Sequence, residues 1–243
     1  MTSVRRLWPV IALATIAGAR LTAAQTPAAA PLDARTSDPV AMGWMVGAPP
    51  PPDRLVAFAD DSWLEFPQRR WSFSNIRQLM PTQVVSRGDR PVSELPLALR
   101  TDIDAVTFEP LNRDGTMTWE QSLDANYTDG ILILHRGRVV YERYFGVLAV
   151  DRPHIAFSVT KSFVATLAAM LVDEGTLDAE ATVASYLPEL AKAGVGDATI
   201  RQLLDMTTGL DYTEDFANPA TPVWDLMRAG GFLSRPPDYA GAQ

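Results

Sequence analysis

The chain has 243 residues, 47% of them apolar and 21% charged, proportions that suit one large folded domain or two modest ones and exclude a disordered chain. A formal net charge of −8 argues against a nucleic-acid partner, which needs a basic face. Cysteine is absent, so disulfides, a thiol nucleophile, thiolate metal sites and a lipidated cysteine are excluded.

The N-terminus reads as an export signal over residues 1–24. Arg5 and Arg6 give a basic start, residues 7–19 are mostly apolar but broken by Pro9, and Thr22, Ala23 and Ala24 precede a cleavage point before Gln25. The apolar stretch is short for a bilayer span and no later segment supplies one, so an exported, periplasmic or secreted protein without stable membrane insertion is expected; an uncleaved anchor is the alternative. Residues 25–41, rich in Ala, Pro, Thr and Asp, predict a flexible lead-in. The run Pro49-Pro50-Pro51-Pro52 predicts a stiff, extended strap or spacer in preference to a peptide ligand. Trp44, Trp63, Phe66, Trp71 and Phe73 then supply enough aromatic surface to pack, so residues 42–125 form an N-terminal extension rather than a linker.

From residue 126 the pattern sharpens. Gly130-Ile131-Leu132-Ile133-Leu134 predicts a strand, residues 135–138 a turn and residues 139–145 a second strand, together a β-hairpin. Pro153 interrupts before a helix expected over residues 158–174 and ended by Gly175. Its apolar residues lie nearly all round, which predicts a buried central helix. Shorter helices follow over residues 181–191 and 199–206, and Thr208-Gly209-Leu210 reads as a turn.

There are two lysines, and Lys161 stands three residues after Ser158. That spacing puts hydroxyl and amine on one helical face, within reach of each other. A lysine amine desolvated against a serine can serve as its general base. With twelve serines in the chain, a chance S-x-x-K is expected about one time in ten, so the tetrad alone is weak. The plainer role for Ser158 is a helix N-cap, although a cation in the first turn opposes the helix dipole. The residues by themselves leave nucleophile and cap both open.

Other chemistries fall away. His135 reads as a solvated turn residue, and His154 precedes the helix and is not fixed on the face of Ser158. There is no G-x-S-x-G elbow, and two separated histidines without cysteine make no zinc site. Asn112-Arg113-Asp114-Gly115 is a turn, because Pro110 and Gln121 stand where a calcium loop needs Asp and Glu. Glu214-Asp215 reads as a solvated loop. No cofactor and no metal are expected.

The hairpin from Asp129-Gly130 to Tyr144-Phe145, the Ser158 to Phe163 segment, Glu174-Gly175-Thr176-Leu177-Asp178, Tyr186-Leu187-Pro188-Glu189-Leu190 and the run from Ile200 to Leu210 together resemble class C β-lactamase-type serine hydrolases. Gly43-Trp44-Met45-Val46-Gly47, Arg70-Trp71-Ser72-Phe73 and Tyr212-Thr213-Glu214-Asp215-Phe216 look most like the 6-aminohexanoate-dimer (nylon-oligomer) hydrolase branch. The resemblance implies a mixed α/β (α+β), transpeptidase-like fold, an antiparallel sheet flanked by helices with a helical subdomain. It further implies that Ser158 forms an acyl-enzyme with an amide or ester substrate, assisted by Lys161, with its own N–H in the oxyanion hole and Tyr212 near the substrate. Carboxylesters, linear amides, D-amino-acid peptides and β-lactams all suit that nucleophile. The family pattern also asks for a Tyr-x-Asn motif and a later sheet strand. Tyr239 has Gly241 in place of the Asn, so residues 42–243 are expected to be a partial domain, with residues 126–243 its first half and the second half missing. The alternative is a non-catalytic penicillin-binding-like envelope protein or an inactive fragment.

Overall fold

The deepest packing lies in the segment marked as an N-terminal extension. The computed structural model describes residues 32–111 and 113–239; the expected export signal and residues 25–31 lie outside these. Trp44, Val56, Trp63 and Trp71 form a buried cluster, ringed by Phe58, Leu64, Phe73 and Ile76 and reached from later in the chain by Val147 and Ile155. Trp63 is fully enclosed (0% exposed), with its ring edge-on to Phe73 at 6.4 Å between centroids.

Residues 32–41, expected to be a flexible lead-in, are built into this layer. Asp38 caps the short helix α1 (Pro39–Met42), its Oδ1 accepting from the Val40 and Ala41 N–H groups at 2.9 and 3.0 Å, with Pro39 at the first helical position. The cause of the order is Arg70 on helix α2 (Arg69–Ser72), whose side chain is 5% exposed. A buried guanidinium must find acceptors, and the lead-in supplies Ala34 O and Ser37 Oγ. The proline run behaves as a strap: Pro51 is extended, Pro52 opens a 3₁₀ turn (Pro52–Arg54), and Met45 N–H donates to Arg54 O at 2.9 Å.

A two-residue ladder, unanticipated from sequence because its strands are so short, pairs β1 (Thr107–Phe108) with β2 (Met117–Thr118). Thr118 also opens α3 (Trp119–Ala125) through a capping box with Gln121. The hairpin follows as β3 (Gly130–His135) and β4 (Arg138–Tyr144). Arg136 and Gly137 both have positive φ (51° and 74°), the left-handed pair that a two-residue hairpin turn requires. His135 therefore belongs to the ladder, paired with Arg138, and not to the turn expected from sequence. Residues 96–100 run along the outer edge of β4, with Ala98 and Arg100 N–H donating to Val139 and Val140 O at 2.8 and 2.9 Å. On the packed face Tyr141 meets Trp119 and donates to Asp104 Oδ1 at 2.6 Å, and burial above all pushes its phenol up to about 12.

Helix α4 (Val159–Asp173) begins and ends where the sequence places it, with Gly175 at φ 73° just beyond. Its burial is the main correction. Phe163, Leu167 and Met170 are 69%, 61% and 54% exposed, and α4 contains no buried residue. An apolar sequence demands cover but does not supply it, and no other helix or strand among the described residues makes more than marginal contact with α4. The expected helix over residues 181–191 divides into α5 (Val183–Tyr186) and a 3₁₀ turn (Pro188–Leu190), since Pro188 cannot continue the ladder. Helix α6 (Ile200–Leu204) opens with a second capping box, Thr199 and Gln202. Helix α7 (Pro222–Ala229) follows, and just after it Ser234 N–H and Oγ donate to Asp61 Oδ1 and Oδ2 at 2.8 and 3.0 Å. None of the helices among the described residues is long and apolar enough to cross a membrane.

Candidate active site

Ser158 occupies the position of an N-cap without acting as one. The cap residues Thr118 and Thr199 have extended ψ (161° and 158°) and side chains that accept a backbone N–H three residues on. Ser158 has helical dihedrals (φ −66°, ψ −14°) and makes no capping bond. Its Oγ instead accepts from Lys161 Nζ at 2.9 Å. Of the two readings left open by the sequence, the cap is not the geometry adopted.

The backbone explains this placement. Val159, Thr160 and Lys161 N–H donate to the carbonyls of Ala156, Phe157 and Ser158, each at 3.0 Å, so the helix is entered through tight i→i+3 turns that draw Ser158 into its first turn. Phe157 just before it has φ +41°, a conformation an aromatic L-residue rarely adopts. The Ser158 N–H donates to no acceptor among the described residues. Ser158 and Lys161 both lie on the exposed surface.

A second layer holds the segment that delivers Ser158. Ile155 N–H donates to Phe73 O at 2.8 Å, and the Phe73 ring meets both His154 and Phe157 edge-on, at 6.0 and 5.1 Å. His154 Nε2 lies 3.3 Å from Asp129 Oδ2, and Asp129 Oδ1 takes Arg70 Nη2 at 3.5 Å. The Asp129 contact raises the His154 pKa above its ordinary 6.5, against partial desolvation that lowers it. Arg70, Asp129 and Phe73 were not singled out as site residues, and no local pattern could have found them, because they lie tens of residues from Ser158 in the chain.

Tyr212 is not hydrogen-bonded to the pair. It lies exposed in the segment after α6, its N–H donating to Leu210 O at 2.9 Å, and it makes no hydrogen bond to Ser158 or Lys161 among the described residues. Partial desolvation, then Glu214, moves its phenol pKa upward. One open concavity lined by Asp33, Arg35, Asp124 and Tyr127 and another lined by Arg70, Glu120 and Arg143 include neither Ser158 nor Lys161.

Comparison with known proteins bears on the family and the fold. Residues 117–237 match the Beta-lactamase family. A 6-aminohexanoate-dimer hydrolase of Paenarthrobacter ureafaciens is 36% identical over 175 residues, which are 72% of this chain and 42% of that protein. A solved structure from Bacillus anthracis that carries the 6-aminohexanoate-dimer hydrolase name superposes with a TM-score of 0.67 at 27% identity, covering 80% of this chain and 50% of that one. The chain thus spans half or less of the length of these relatives. The mixed helices and small antiparallel ladders are those of the β-lactamase/transpeptidase-like fold. Residues 117–237 thus carry a match to the Beta-lactamase family, and 6-aminohexanoate-dimer hydrolases are among the relatives of the chain.

Proposed function

We propose that the chain carries the nucleophile of a serine hydrolase that opens small amide or ester substrates through an acyl-enzyme on Ser158. The observation that carries this reading is the 2.9 Å contact between Lys161 Nζ and a Ser158 Oγ that caps nothing. When the Lys161 amine is neutral the same contact runs in reverse, the hydroxyl donating to nitrogen. Oγ then bonds to the substrate carbonyl carbon as its proton passes to Nζ. The Ser158 N–H is available to the developing oxyanion. Breaking the C–N or C–O bond returns that proton to the leaving amine or alcohol, and water later frees the acid and restores Ser158. The relatives' name supports a short linear amide such as the 6-aminohexanoate dimer as the first substrate to try. Export through residues 1–24 belongs to the same reading, and N-terminal sequencing of the secreted protein checks it.

The test is covalent labelling of the purified protein by a fluorophosphonate probe, with the adduct located by mass spectrometry. Labelling at Ser158 is expected, abolished by Ser158→Ala and slowed about 10²–10⁴-fold by Lys161→Ala, the usual contribution of a general base. Reversible substrate binding with no adduct at Ser158 overturns the proposal and favours a non-catalytic binding protein.

A further inference from the structure

His154 sits four residues before Ser158, off the helix, with both ring nitrogens facing acceptors. Nε2 lies 3.3 Å from the Asp129 carboxylate, and Nδ1 lies 2.9 Å from the Ile155 carbonyl oxygen. A carbonyl oxygen only accepts, and Asp129 already serves Arg70 as an acceptor on its other oxygen. A neutral imidazole has one N–H and would leave one of these contacts as lone pair against lone pair. The imidazolium satisfies both.

The segment that this ring grips is the one that must hold an unusual shape. Phe157 carries a positive φ, which persists only where its surroundings over-determine it. Around it are the Phe73 ring, the Ile155 bond to Phe73 O and the His154 contacts. The charged group facing His154 is Asp129 at the start of the hairpin, with Arg70 of α2 behind it; Phe73 after α2 presents an uncharged ring, and Asp151 and Arg152 are the charges on the segment's own approach.

We infer that His154, held as an imidazolium between Asp129 and the Ile155 carbonyl, is a positioning residue that fixes Phe157 and thereby sets Ser158 against Lys161. This role rests on the hydrolase reading of Ser158, and it touches no substrate atom. The raised His154 pKa has the sign the role requires. A histidine whose folded pKa exceeds its unfolded value contributes fully below the unfolded value and loses that contribution as pH rises through the folded one. The clamp is therefore complete below pH 6.5 and released on the alkaline side.

With two histidines in the chain, His135→Gln leaves His154 as the only imidazole to observe. Nitrogen-15 spectra of that protein should show the doubly protonated ring predominating at pH 6.5, with a titration midpoint above that value which Asp129→Asn lowers. The Ser158 and Lys161 backbone amides should titrate with the same midpoint. Probe labelling of Ser158 should slow about tenfold in His154→Gln and lose its dependence on that ionisation. A singly protonated ring at pH 6.5, Ser158 and Lys161 amides indifferent to the His154 titration, or wild-type labelling with an unchanged pH profile in His154→Gln would each overturn the inference. Failure of the wild-type protein to label at all bears on the hydrolase reading, whereas the amide titration decides the clamp without any turnover.

Discussion

Two apolar regions of this molecule meet opposite fates. Around Trp63, residues drawn from separate stretches of the N-terminal extension close over one another, and Val147 and Ile155 from beyond the hairpin complete the cluster. Helix α4 is at least as apolar, yet Phe163, Leu167 and Met170 stand exposed along it. Composition made both look like core. What separates them is whether facing surface exists in the described residues, and burial is a property of pairs of surfaces, not of a segment.

That contrast can be broken by mutation, and the largest effect should come from the closed cluster. Trp63→Ala removes a fully enclosed indole and is expected to destabilise the fold by about 3–5 kcal/mol in denaturant unfolding. A cost under about 1 kcal/mol would mean that the extension is not core. Next comes the difference between a real cap and a nominal one. Thr199→Ala breaks a capping box and should cost about 1 kcal/mol. Ser158→Ala should cost under about 0.5 kcal/mol, because its hydroxyl caps nothing. Equal losses for the two would restore Ser158 as a structural cap. The smallest effect belongs to α4, where Leu167→Gln should change unfolding free energy by less than about 0.5 kcal/mol. A loss of 2 kcal/mol or more there would show that Leu167 is covered in solution.

Much of this was legible in the chain. The hairpin could be read because the apolar run from Gly130 to Leu134 and the turn around Arg136-Gly137 are local signals, and α4 because Gly175 ends it. The Ser158–Lys161 contact followed from helical spacing alone. The ordering of residues 32–41 could not be read, since it depends on Arg70 seeking acceptors more than thirty residues away. Nor could the seat of His154, whose partner Asp129 lies on another element. The exposure of α4 could not be read for a third reason: an apolar sequence reports which residues need cover and never whether cover is present.

The tie between Asp61 and Ser234 reaches across nearly the whole described chain, joining the aromatic layer to the segment that follows α7. Segments tied in this way tend to unfold together, so the extension and residues 126–239 should behave as one cooperative foldon rather than as modules to be separated at residue 125. An expression boundary placed there would remove Phe73, Arg70 and Asp61 at a stroke, and with them the seat of the segment that carries Ser158.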